Sequence, residues 1–167
     1  MNHYQYAPNP VGWVDPWGLA KKCPAETSNA ESLDDINPTK TIGGRKIING
    51  DLAGQTVKTG GGEVSFDKYG FPDFSPYSLK TVRVDGLTGE MRHDVPLAMK
   101  KSGLSAYDES IYVWHHHQDT KTMMLVPRSV HSVRNGGVAH TGGRAVLEHN
   151  KANPGAALIY PSPPESY

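Results

Sequence analysis

A β-prone run, Ser110-Ile111-Tyr112-Val113-Trp114, leads straight into His115-His116-His117-Gln118-Asp119, and a second β-prone run, Thr122-Met123-Met124-Leu125-Val126, returns after a short polar turn. No other feature constrains the chain as much, because a hairpin with imidazoles at its end must direct adjacent side chains to opposite faces. His115 and His116 therefore cannot serve one ligand together while the strand stays regular, and the pair suits two different roles. Pro127 opens the following segment and predicts a helix that carries His131 towards the hairpin. Six of the eight histidines fall between His115 and His149, a density that solvent exposure alone does not explain. Near neutral pH, histidine both binds divalent metals and moves protons.

Composition narrows the frame around this hairpin. A hydrophobic fraction of 37% with 18 Gly and 13 Pro predicts a loop-rich α+β domain of short elements. Seventeen basic residues balance seventeen acidic ones, so no global field announces a nucleic-acid partner. Any such contact must be local, and between Ser110 and Asn150 the cations Lys121, Arg128, Arg134 and Arg144 outnumber Asp119 and Glu148. Cys23 is the sole cysteine, which excludes an internal disulfide and a multi-cysteine zinc site. A bound metal would need histidine ligands. No apolar run approaches the roughly 18 residues of a membrane span, so no membrane insertion is expected.

Along the chain, residues 1–19 are rich in aromatics, Pro and Gly, and residues 20–40 form a polar, turn-prone linker. From Thr41 short β-prone runs alternate with glycine punctuation: Arg45 to Ile48, Gln55 to Lys58, Glu63 to Phe66 and Leu79 to Val84. The stretch Tyr69 to Tyr77 is expected to be a packed loop. Asp94 to Lys101 predicts a helix capped by Asp94, with lysines in its last turn and Gly103 as its stop. This half reads as scaffold. Arg144 to Asn150 predicts a second helix, and residues 154–167, with Pro161, Pro163 and Pro164, an extended tail that frays.

Two resemblances to known families add to this picture. Pro10-Val11-Gly12-Trp13-Val14-Asp15-Pro16-Trp17-Gly18-Leu19, with its lead-in Tyr4 to Asn9, resembles the PxxxxDPxGL signature that closes the core of bacterial RHS-repeat proteins. In that family a shell encloses a variable C-terminal toxin that self-cleavage frees. The resemblance implies that Asp15 takes part in autocleavage, that Leu19 precedes the scissile bond, and that residues 1–19 end an RHS core. Trp114-His115-His116, Met123 to Pro127, His131 and His140-Thr141-Gly142-Gly143 resemble the Trp-His-His (WHH) subset of the HNH/endonuclease VII superfamily. Upstream similarity reaches back to about Lys68, and the toxin domain is taken as 41–153.

The second resemblance implies a ββα-metal (His-Me finger) hairpin and helix attached to a loop-rich, short-stranded N-terminal scaffold. It implies a metal-dependent DNase in which His115 is a metal ligand at the reacting centre and His116 the general base. His131 is implied as a ligand on the helix, and His140 as a further ligand or phosphate contact. The divalent ion would be Mg²⁺, Zn²⁺, Mn²⁺ or Ni²⁺. Thr122 falls where classical members carry the base-orienting Asn, and Arg128 and Arg144 are candidate phosphate contacts. Together the two resemblances imply a type VI secretion effector used in interbacterial competition. It would be secreted with the RHS shell of its parent, act on DNA in the recipient cytoplasm, and be neutralised by a cognate immunity protein. An RNase toxin of the same shell remains an alternative, as does a non-catalytic zinc module closed by His115, His117, His131 and His140. A deaminase is disfavoured, because its usual zinc site needs cysteines.

Overall fold

A computed structural model describes residues 41–42 and 45–166. Asp15 and Leu19, with the whole of 1–40, lie outside the described residues. The strands are β1 (Thr41–Ile42), β2 (Arg45–Lys46), β3 (Thr56–Thr59), β4 (Gly62–Phe66), β5 (Pro72–Asp73), β6 (Lys80–Arg83), β7 (Tyr112–His116) and β8 (Thr122–Pro127). The α-helices are α1 (Met91–Ser102), α2 (Arg128–His131) and α3 (Gly143–Ala152). Strands β3-β4-β5 form one small antiparallel sheet, β1-β2 a hairpin, and β6-β8-β7 the sheet that carries the histidines. The mixed α/β architecture agrees with the composition.

Strand β8 is the spine, because it is central and apolar on both faces. Met123 and Leu125 pack on one side with Val82, Trp114 and Ala98 of α1; Met124 and Val126 pack on the other with Val64, Phe66, Phe74 and Val130. Across the β7/β8 ladder His115 pairs with Met124 and His116 with Met123. The period of two that sorts the core thus sorts the imidazoles as well. The strand starts two residues later than its apolar run suggested, so both histidines lie inside it. Asp119 stitches the hairpin turn by accepting from the Lys121 and Thr122 amides, at 3.0 and 2.9 Å, and from the Thr122 hydroxyl at 2.6 Å.

Three expectations need correction. The helix after Pro127 is a single α-turn, followed by a 3-10 turn at Val133–Asn135, because Gly136-Gly137 turns the chain back. The Gly137 amide donates to the Ser132 carbonyl at 3.0 Å and the Val138 amide to the Val130 carbonyl at 3.1 Å, so the next segment lies against α2 itself. A Cβ on Gly137 would stand 2.5 Å from the Val130 carbonyl carbon, an approach that only glycine permits. Helix α1 begins at Met91 rather than Asp94, and Asp94 turns its carboxylate back to the Thr88 and Gly89 amides instead of capping the helix.

The tail, third, does not fray. Leu158 and Tyr160 are buried with Ile47, Tyr69, Phe71 and Val146, and Ser166 bridges to Thr81 on the outer edge of β6. Pro163 and Pro164 permit this, since an edge contact needs few donors from the added segment. Tyr160 meets Tyr69 and Phe71 edge to face, with ring centres 5.4 and 5.1 Å apart. Truncating Tyr160 to Ala should therefore cost about 3 kcal/mol or more in urea denaturation. A cost below about 0.5 kcal/mol, typical of loose surface, would contradict the packed tail.

Candidate functional site

Three histidines from three different segments meet beside Phe74. His115 comes from β7, His131 is the last residue of α2, and His140 arrives on the loop that Gly137 folds back. One nitrogen from each lies within 4.8 Å of the others. His115 Nδ1 stands 3.2 Å from His131 Nε2, and the His131 and His140 ring centres are 4.5 Å apart. Two imidazole nitrogens on one tetrahedral ion with bonds of ~2.05 Å are about 3.3 Å apart, so the His115–His131 pair stands at the spacing a shared metal requires. His140 donates Nδ1–H to the Val138 carbonyl at 3.0 Å, which leaves Nε2 with its lone pair free. Phe74, 1% exposed, contacts all three rings at centroid distances of 5.0, 5.3 and 5.0 Å.

That apolar floor sets the protonation state. Burial holds His115 well below the usual histidine range, and the neighbouring His140 and His131 add to the effect. Burial, His140 and the positive charge of Arg128 take His131 down to about 3. His140 is lowered by burial against the opposing bond to Val138. Three neutral imidazoles with converging lone pairs are the donor set that zinc and neighbouring transition metals take.

His116 faces the other side of the sheet and meets Asp94. Its Nε2 lies 2.8 Å from Asp94 Oδ2, and Asp94 is 0% exposed. The same carboxylate accepts from the Thr88 amide and hydroxyl at 3.1 Å, from the Gly89 amide at 2.7 Å, and sits 2.7 Å from His93 Nδ1. Burial alone would raise Asp94, but the bonds from His93, His116, Thr88 and Gly89 outweigh it and hold the carboxylate well below its usual range. An ionised Asp94 fixes the proton of neutral His116 on Nε2 and leaves Nδ1 as the basic nitrogen.

Both faces reach one cleft of about 320 Å³ at the free edge of β7, lined by His115, His116, His131, His140, Met91 and Arg144. Helix α3 closes one wall, and a methyl on Gly143 would overlap the His117 carbonyl. Arg144 lies at this wall with its guanidinium bonded to Glu148 at 3.1 Å. Arg128 instead donates Nε–H to the Glu109 carbonyl at 2.7 Å. Thr122 is fully buried on Asp119, so it is not the partner of His116. His117 also turns to Asp119, with Nδ1 3.2 Å from Oδ1, and the four-histidine closed zinc site does not form. Asp94 and Phe74 were missed because both sit in the half taken for scaffold, and only tertiary contact identifies them.

Residues 110–150 match the family model WHH, described as a nuclease of the HNH/ENDO VII superfamily with conserved WHH. The matched stretch carries all three clustered histidines and His116, and excludes Asp94. A 19-residue stretch is 90% identical to part of Double-stranded DNA deaminase toxin A of Burkholderia cenocepacia (strain H111). It covers 11% of this chain and 1% of that protein, so the chain spans about 1% of the length of this relative.

The depressed imidazoles make an acid-labile fold. Between pH 6.5 and about 3 the unfolded chain binds a proton that folded His131 does not, so stability rises with pH across that window. Asp94 adds its own loss only once pH falls below its ordinary value of 3.8. Metal-free protein titrated with urea should lose stability as pH drops below 6.5, approaching about 1.4 kcal/mol per pH unit from His131 alone. A flat profile from pH 7.5 to 5 would contradict the buried neutral cluster.

Proposed function

We propose that this chain is the toxin end of an RHS-type effector and acts as a divalent-metal-dependent endonuclease on DNA. The observation that carries the reading is the convergence of His115, His131 and His140 beside a separately oriented His116. The WHH match over 110–150 and the short identity with a toxin support it. His115 Nδ1, His131 Nε2 and His140 Nε2 would hold the ion, which when bound supplies Lewis-acid stabilisation of phosphate charge. Neutral imidazoles favour Zn²⁺ or Ni²⁺ over Mg²⁺ and Mn²⁺. His116 Nδ1 takes the proton of the attacking water, and Asp94 stabilises the imidazolium that results. Arg144, at the cleft wall, meets the phosphate. Thr122 and Arg128 are left as supports of the hairpin and of the loop before β7.

Among the described residues the cluster offers three ligands, which favours an open, catalytic site over a closed structural one. The RHS resemblance of residues 10–19 adds autocleavage with Asp15 and release after Leu19, delivery by a secretion system, and action in the recipient cytoplasm. A nuclease made in its own producer calls for a cognate immunity protein. No described helix is long and apolar enough to cross a membrane.

Supercoiled plasmid incubated with the purified chain tests the chemistry. Cleavage should stop with chelator and return with Zn²⁺ or Ni²⁺. His116→Ala should slow it about 10²- to 10⁴-fold with metal content unchanged, whereas His131→Ala should lose metal and recover partly at high metal concentration. Cleavage of RNA that persists in chelator, with plasmid left intact, would overturn this function.

A further inference from the structure

Beyond His140 the cleft continues into a second groove of about 340 Å³, and Arg45, Lys46, Ile48, Thr141, Arg144 and Glu148 are among its walls. The two cavities share His140, Gly142 and Arg144 and so adjoin across these residues. The β1-β2 hairpin and the residues after it would be an unremarkable appendage if they were free to move. They are tied to the histidine loop instead: the Ile48 amide donates to Thr141 Oγ1 at 2.8 Å and Asn49 Nδ2 to the Ala139 carbonyl at 2.6 Å. The backbone just after Arg45 and Lys46 is thereby held against the loop that carries His140.

The charges in this groove already surround an anion. The Glu148 carboxylate lies 3.3 Å from the Arg45 guanidinium and 3.1 Å from that of Arg144. Side-chain exposures of 77%, 60% and 42% for Arg45, Arg144 and Glu148 make these ion pairs weak and easily exchanged. Guanidinium binds phosphate in the same forked manner as carboxylate.

We infer that this groove is a second phosphate subsite, in which Arg45 and Lys46, with Arg144 at its border with the histidine cleft, hold the nucleic-acid backbone on one side of the scissile bond and a phosphate displaces Glu148. The inference rests on the nuclease reading for its substrate and adds the direction in which the strand leaves the histidine cluster. It gives the β1-β2 hairpin, which lies outside the matched stretch 110–150, a share in binding.

Fluorescence anisotropy with a short labelled DNA duplex, in chelator so that nothing is cut, measures the subsite directly. The double variant Arg45→Gln/Lys46→Gln should raise Kd roughly tenfold and flatten the slope of log Kd against log salt by about two, one for each lost phosphate contact. Glu148→Gln, which removes the carboxylate shared by Arg45 and Arg144 and leaves only Glu90, 3.6 Å from Arg144, should lower Kd. An unchanged salt slope in the double variant, or an unchanged or raised Kd in Glu148→Gln, would overturn the inference. Intact plasmid with the wild-type chain and added metal would sink the nuclease reading alone, since the salt slope decides the subsite without any cleavage.

Discussion

The pleat of β7 is the constraint on which the site depends. Successive side chains of a strand leave by opposite faces, and β7 is held in that geometry by five register pairs with β8. His115 therefore enters the space under α2 with Met124 and Phe74, while His116 enters the space under α1 with Trp114 and Met123. A slip of one residue would exchange the two environments and give each imidazole the wrong partners. Trp114, buried with Met123 and Leu125, makes that slip costly, because it would leave the core under α1.

Each environment then tunes its own imidazole. On one face an apolar floor and two like groups deny a proton to His115, His131 and His140, which keeps their lone pairs available. On the other face a buried carboxylate would be costly alone, yet the Thr88, Gly89, His93 and His116 donors satisfy it and hold it ionised. The free edge of β7 lets both faces open into one cleft, with the start of α3 pressed against the His116 and His117 carbonyls by Gly143. The imidazole cluster and the His116–Asp94 pair are thus separated in the sheet and joined at its edge.

Much of this was legible in the residues themselves. The hairpin, the opposite facing of His115 and His116, and the helix after His140-Thr141-Gly142-Gly143 follow from periodicity and punctuation. What stayed hidden depends on contacts between distant segments. Asp94 lies 22 residues from His116 and looked like a helix cap, a role its residue type also suits. Thr122 sits in register with a base-orienting position, but Asp119, three residues away, captures its hydroxyl first. Prolines in the tail signalled extension and concealed burial, because the aromatic partners of Tyr160, Tyr69 and Phe71, lie about ninety positions earlier. Phe74 belonged to a stretch correctly expected to pack, with nothing local to say that three histidines would surround it.

The central claim is that His116 works through Asp94 while the other three histidines form a separate metal centre. Asp94→Asn tests it most directly when the absorption spectrum of the Co²⁺-loaded protein and the plasmid-cleavage rate are measured on the same sample. The account predicts an unchanged cobalt spectrum with a rate lowered about 10²-fold or more, since the amide cannot stabilise the imidazolium. A rate equal to wild type, or a cobalt spectrum that changes with the substitution, would contradict the division between the two faces.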